Sequence, residues 1–476
     1  MVEVQARVAR ELDRLAPVLD GLGALFADAG HELHLVGGPV RDAMLGRSHH
    51  DLDFTTSARP EETEKLLRRW GDGGLWDMGR DFGTIGARRG EWVVEVTTYR
   101  SESYDADSRN PTVSFGDDLA GDLGRRDFTV NAMAVSLPGR VFEDPYGGIA
   151  DLADQVLRTP GRPEDSFGDD PLRMLRAARF AAQLGFTVAP EVVAAMTAMA
   201  ERITIISAER VRDELVKLIC APHPRLGLTL LVDTGLADLV LPELPALRLE
   251  RDEHHRHKDV YEHTLTVLEQ AIDLESRLPG DGPDFVARFA SLMHDVGKPK
   301  TRRFVDDGTV TFHHHDVVGA KITAKRMKAL RFSRDEIEAV SLLVELHLRF
   351  HGYGSGEWTD SAVRRYVRDA GDQLDRLHVL TRADCTTRNH RKAERLRRTY
   401  DELEARIDHL AEAEGRAAIR PDLDGNQIME ILDLAPGREV GRAYAFLLEL
   451  RLDQGPMTYE AAKAALVAWW SDRSGA

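Results

Sequence analysis

Apolar residues at helical spacing open the chain. Leu12, Leu15 and Leu19 fall on one face, which predicts one or two amphipathic helices over residues 1–30. The period then changes: Leu35 and Val36 lead into Gly37-Gly38, and Pro39–Leu45 reads as a short helix ended by Gly46. Asp51-Leu52-Asp53-Phe54 alternates polar with apolar, as a strand does. A helix is expected near 60–70 and strands around Gly83–Arg88 and Trp92–Tyr99. Residues 100–124, polar and rich in aspartate, read as a mobile loop. Helical periodicity dominates afterwards, over 169–180, 187–245 and 391–476. The expected fold is an α/β head, a small mixed sheet with helices, followed by an all-α remainder.

A length of 476 residues implies several domains. The net charge of −17 argues against a protein that coats nucleic acid non-specifically. It leaves room for a local basic track such as RNHRKAERLRR at 388–398, which alone is either a solvated helix face or a nucleic-acid contact. No apolar run approaches a membrane span, and the first residues lack the apolar core of a signal peptide. Cys220 and Cys385 lie far apart and in no metal-binding pair, so they read as reduced thiols of a cytoplasmic protein.

Candidate chemistry begins at residues 35–54. Asp51 and Asp53 point the same way on a strand, and two adjacent carboxylates repel each other unless a cation lies between them. Hard oxygen ligands of this kind suit Mg²⁺. Gly37 and Gly38 let backbone amides approach a triphosphate, and Arg41 can reach the same anion. A D-x-D pair by itself is also compatible with a solvated hairpin. Glu95, between Val94 and Val96, is either a third carboxylate or a solvent-facing strand residue.

The grouping of GGPVRD, LG and DLD resembles the nucleotidyltransferase superfamily that includes DNA polymerase β. More narrowly it resembles the class II branch of tRNA CCA-adding enzymes and bacterial poly(A) polymerases. GRRDFTVNAMAV is similar to that branch's second motif. The resemblance implies that Arg126 contacts the nucleotide, while Asp127 and Asn131 stand behind it or touch the sugar. FEDPYGGIADL at 142–152 matches the segment that closes the catalytic head.

DDPLRMLRAARF at 169–180 starts as helices do, with aspartate and proline, and Gly185 would end it. Arg173, Arg176 and Arg179 recur every three residues opposite Leu172, Leu175 and Phe180, which alone describes a basic amphipathic helix. The segment also resembles the branch's templating motif, with Asp169 in place of its first glutamate. By that resemblance Asp170 accepts a hydrogen bond from a base amine and Arg173 donates to a ring nitrogen. Cytosine and adenine present that pair; uracil and guanine present the reverse. Arg176 and Arg179 would face the nucleotide or hold the helix.

From about residue 250 histidines accumulate, ten of the chain's 18 lying between His254 and His351. Imidazole with carboxylate suits a divalent transition metal. The spacing of His263, His294-Asp295 and Asp384 resembles the HD phosphohydrolase superfamily, and His315 and His347 stand where relatives with a second metal carry further ligands. The organisation expected is a nucleotidyltransferase head (1–160), a helical neck (161–248), an HD domain (249–392) and a helical, tRNA-binding tail (393–476). Together the resemblances imply addition of CCA to the tRNA 3′ end from CTP and ATP with Mg²⁺, releasing pyrophosphate. They also imply a phosphohydrolase centre holding Mn²⁺, Ni²⁺, Co²⁺ or Mg²⁺. Poly(A) addition, partial addition of CC or A, and a head without activity are the alternatives. The pattern sets no oligomeric state.

Overall fold

The computed structural model describes residues 10–47, 51–79, 83–103, 112–116, 118–249, 259–304, 310–352, 358–387, 389–414 and 420–474. The chain divides into two compact units, Met1–Pro242 and Glu243–Ala476. Head and neck thus pack as one body, and the division falls at Pro242, a few residues before the expected 248.

In the first unit, helix α1 (Ala16–Asp28) precedes β1 (Leu33–Val36), α2 (Gly38–Leu45), β2 (Asp51–Thr56) and α3 (Pro60–Trp70). Strands β3 (Leu75–Gly79), β4 (Thr84–Arg89) and β5 (Trp92–Thr98) follow. The stretch expected as a loop instead contains β6 (Arg100–Ser103), β7 (Thr112–Phe115) and α4 (Leu119–Gly124); residues 104–111 and 117 lie outside the described residues. Register explains the difference, since Arg100 pairs with Phe115 and Ser103 with Thr112 through backbone hydrogen bonds that need no apolar side chains. Strands β8 (Ala134–Leu137) and β9 (Val141–Glu143) complete a seven-stranded sheet, ordered β3-β4-β5-β2-β1-β8-β9. All four residues of β1 are buried, as its central position between β2 and β8 requires. Helix α5 (Gly148–Asp154) closes the head, and the neck contains α6 (Pro163–Asp169), α7 (Leu172–Leu184), α8 (Pro190–Met199), α9 (Ala208–Ile219), α10 (Pro224–Asp233) and α11 (Leu236–Val240). Helices α9 and α10 both pack on α7.

The second unit is almost wholly helical. Helices α12 (Val260–Asp273), α13 (Phe285–Met293), α14 (Lys298–Thr301), α15 (His315–Ala329), α16 (Arg334–Leu346), α17 (Asp360–Ala370) and α18 (Leu374–Ala383) precede the long α19 (His390–Glu414). The last three, α20 (Gly425–Leu432), α21 (Arg438–Gln454) and α22 (Tyr459–Ser474), close on Leu423, Ile428, Ala443, Leu447, Ala462 and Leu466. Burying each such leucine or isoleucine contributes about 1.5–3 kcal/mol, so these helices have a core of their own. No helix among the described residues is long and apolar enough to cross a membrane.

Candidate functional site

Parallel pairing of β2 with β5 sets Asp53 opposite Glu95. Leu52, Phe54, Val94 and Val96 are buried while Asp51, Asp53 and Glu95 are exposed, so the three carboxylates share one face. The protein packed around Asp53 pushes its carboxyl above the usual range; Arg126 draws it down, and Glu95 and Asp51 push it up again. A divalent cation relieves such crowding, and the all-oxygen donor set suits Mg²⁺. Across from the acids is the Gly37-Gly38 turn at the start of α2. Gly37 has φ 72°, and a Cβ there would lie 3.1 Å from Arg126 Nη1 and 4.0 Å from Asp53 Oδ2. Turn, guanidinium and carboxylate therefore converge. Among the described residues Arg126 has a long 3.4 Å contact with Asp122 and its buried Nε has no hydrogen-bond partner, which suits an incoming anion.

Arg41 departs from expectation. Its Nε and Nη2 donate to Asp42 at 2.8 and 2.7 Å, and Nη1 donates to Asn131 Oδ1 at 2.7 Å. Buried and committed in this way, it braces the turn from behind rather than reaching over it. Asn131 donates to Asp127 Oδ1 at 2.9 Å, and Asp127 Oδ2 accepts from Arg176 Nε and Nη2 at 2.8 and 2.6 Å. Glu214 lies 3.8 Å beyond Arg176 and accepts from Arg179 Nε at 2.6 Å. Arg41, Asn131, Asp127, Arg176, Glu214 and Arg179 thus form one ladder joining the glycine turn to the neck. Burial alone would raise the Asp127 carboxyl, but Arg176 and Asn131 hold it well below the usual range. Of the two roles open to Arg176 and Arg179, holding the helix is the one their contacts describe.

Asp170 and Arg173 line one cavity of about 320 Å³ with Asp53, Arg126 and Arg176. The helix begins at Leu172 rather than Asp169, because residues 163–169 form α6 and Asp170 sits at the corner. Asp170 Oδ1 accepts the Leu172 N–H at 3.0 Å, and Oδ2 accepts from Arg210 Nη2 at 3.1 Å. Arg173 Nη1 donates to Ser166 Oγ at 2.9 Å and Nη2 to the Arg125 carbonyl. The helical periodicity of 187–245 alone does not single out Arg210 or Glu214. The available signal was an Arg and a Glu four residues apart on α9, a charged pair on one helix face.

In the second unit His263 from α12, His294 and Asp295 after α13, and Asp384 after α18 converge. His263 Nε2 lies 3.0 Å from Asp384 Oδ1, 3.3 Å from His294 Nε2 and 3.6 Å from Asp295 Oδ2. His294 Nε2 is 3.2 Å from Asp295 Oδ2, and His315 Nε2 is 3.3 Å from Asp295 Oδ1. Asp295 thus stands between one set, His263, His294 and Asp384, and another formed with His315 and His347. Gly297 permits this, since a Cβ there would lie 2.0 Å from the His315 carbonyl oxygen. Nδ1 of His294, His315 and His347 faces the carbonyls of Ser291, Phe312 and Val344 at 2.8, 2.8 and 2.6 Å. A carbonyl only accepts, so each Nδ1 carries a proton, which leaves Nε2 as the nitrogen that would offer a lone pair to a metal. Burial pushes His347 down to about 4, and its buried Nε2 has no hydrogen-bond partner among the described residues. The Asp295 carboxyl, which burial would raise, is held well below its usual range by His294 and Lys298. Lys298 Nζ at 2.8 Å from Asp295, and Thr386 at 3.1 Å from His263 Nδ1, are contacts sequence reasoning did not name. The donor set fits a divalent metal.

Three family models match the chain: the poly A polymerase head domain over residues 33–158, the probable RNA and SrmB-binding site of polymerase A over 185–247, and the HD domain over 260–389. An A-adding tRNA nucleotidyltransferase of Deinococcus radiodurans is 33% identical over 447 residues, covering 93% of this chain and 96% of that protein. A CCA-adding enzyme of Levilactobacillus brevis is 44% identical over 227 residues, 48% of this chain and 55% of that enzyme. The chain thus spans about half the length of the CCA-adding relative. Among solved structures, the Bacillus stearothermophilus CCA-adding enzyme in complex with CTP shares the fold, with a TM-score of 0.63 and 23% identity over 97% of this chain and 98% of that one.

Proposed function

This chain belongs to the class II tRNA nucleotidyltransferases, and from that premise we propose that it adds CCA to the 3′ end of tRNA from CTP and ATP, releasing pyrophosphate. The observation that carries the reading is the convergence of Asp53, which shares a sheet face with Asp51 and Glu95, on the Gly37-Gly38 turn and Arg126, beside a cavity that Asp170 and Arg173 also line. Asp51 and Asp53, with Glu95 beside them, would hold Mg²⁺. Bound there, the ion lowers the pKa of the attacking 3′-hydroxyl and neutralises charge on the leaving pyrophosphate. Arg126 and the glycine amides hold the triphosphate. Asp170 accepts from the base amine and Arg173 donates to the adjacent ring nitrogen, so that uracil and guanine leave buried groups unpaired at about 1–3 kcal/mol each. Residues 161–248 and 393–476 would seat the tRNA in the cytoplasm. The test is incubation with tRNA lacking its 3′ end and each labelled nucleotide, followed by sequencing of the product. CCA ends are expected. Addition of A alone, the activity named for the D. radiodurans relative, or of a long A tract would overturn the reading.

For the second unit we propose a metal-dependent phosphohydrolase whose metal is held by His263, His294, Asp295 and Asp384, with His315 and His347 as ligands to a second ion. A bound metal supplies an acidified water for attack on phosphorus. Hydrolysis of a phosphomonoester or cyclic phosphodiester with Mn²⁺, Ni²⁺, Co²⁺ or Mg²⁺ tests it; none with any of the four would leave a structural domain.

A further inference from the structure

Arg210 has no task in that scheme although it borders the head cavity. Arg210, from the first turn of α9, lines the cavity with Asp170 and Arg173 and donates from Nη2 to Asp170 Oδ2 at 3.1 Å. We propose that Arg210 is a positioning residue that holds the Asp170 carboxylate in its base-reading orientation, and so helps set the preference for CTP and ATP over UTP and GTP. The inference rests on the template reading of Asp170 and Arg173.

Asp170 lies at the corner between α6 and α7, outside both helices. Its carboxylate offers about four lone-pair directions. The Leu172 N–H takes one on Oδ1, and Arg210 takes one on Oδ2 from an element 40 residues further along. Two anchors on different oxygens fix the plane of the group; one anchor leaves it free to turn about its Cβ–Cγ bond. An acceptor that can turn no longer demands a donor at one point in space, and that demand is what rejects a carbonyl. The arginine is itself well founded. Helix α9 is capped by Ser207 and packs on α7, and one turn further on Glu214 ties the same two helices through Arg179. Asp170 is 16% exposed and Arg210 46%. The carboxylate is therefore the buried partner, and the guanidinium approaches it from the solvent side.

The bland alternative is a surface ion pair of small worth, which predicts no change in base preference. The experiment measures kcat/KM for the four triphosphates with the full-length protein and truncated tRNA, for R210A, R210K, D170A and R210A/D170A. R210A should lower the CTP:UTP and ATP:GTP ratios roughly threefold to tenfold, a smaller change than D170A gives. R210K, keeping a cationic donor, should recover most of that loss. The double variant should match D170A, because a residue acting only through Asp170 has nothing left to position. Raising salt should erode the wild-type ratio and leave that of R210A flat. If D170A shifts the ratios and R210A does not, the role given to Arg210 is wrong while the template reading stands. If neither shifts them, the template reading fails and takes this inference with it. Additive losses in the double variant would mean that Arg210 touches the nucleotide itself, which also overturns the positioning role.

Discussion

The two clusters of acids in this chain solve opposite problems. In the head, Asp51, Asp53 and Glu95 stand exposed on neighbouring strands and crowd one another. In the second unit, His294 and Asp295 are 1% and 2% exposed, and every imidazole of the cluster has its other nitrogen hydrogen-bonded. In the proposed function the first arrangement would leave the nucleotide and its metal to complete the site, as would suit a cleft that admits a macromolecule's end and releases pyrophosphate. The second would supply nearly all of the coordination of its proposed metal in advance from protein. An open site is sensitive to charge and tolerant of small movement; a closed one is sensitive to both.

The largest effects should separate the two regions outright. Asp51→Ala or Asp53→Ala should abolish nucleotide addition, by more than a thousandfold on the scale of lost transition-state charge stabilisation, with tRNA binding and phosphohydrolysis retained. Near-normal addition with Mg²⁺ in either variant would remove the metal assignment. Next, His294→Ala with Asp295→Ala should eliminate hydrolysis and stoichiometric metal uptake while sparing CCA addition. Calorimetry of metal binding and a tRNA end-labelling assay on the same preparation report both. Hydrolysis persisting in that variant would move the chemistry elsewhere. A smaller change is expected for Arg173→Ala: the CTP:UTP ratio should fall roughly tenfold to a hundredfold, more than triphosphate binding weakens. Equal loss for all four nucleotides would return the helix to an ordinary basic face.

The smallest effect concerns the ladder behind the open site. Because its Asp127 carboxyl titrates below the unfolded value, its stabilising contribution is complete above the unfolded pKa of about 4. That contribution is lost as pH falls through the folded value. Asp127→Asn should cost about 1–3 kcal/mol near neutrality, discounted because Arg176 is a third exposed. The deficit should shrink on acidification; denaturant melts at pH 7 and pH 3 that show equal deficits would contradict this.

The residues that carry chemistry by local pattern were legible in the sequence. The D-x-D alternation, the double glycine and the histidine–aspartate pair each state their geometry within a few positions. What stayed hidden was made by partners far apart. Arg41 looks like an anion ligand until Asn131, 90 residues on, occupies its remaining nitrogen. Arg210 looks like a solvated charge until the fold sets it against Asp170. The β6–β7 hairpin escaped for another reason: paired backbone needs no apolar rhythm, β6 (Arg-Ser-Glu-Ser) supplies none, and the alternation of β7 is only four residues long.

Three imidazoles of the closed cluster share one device: His294, His315 and His347 are each held by the carbonyl three residues earlier in the chain. Ring aim is therefore a property of a four-residue fragment, whereas ring separation is a property of how whole helices pack. The two can be tuned apart. A change in helix packing would alter the bite of the cage and the ionic radius it prefers without turning any ring away from its centre. Metal choice in such a domain can thus drift by remote substitutions that leave every ligand and its hydrogen bond in place.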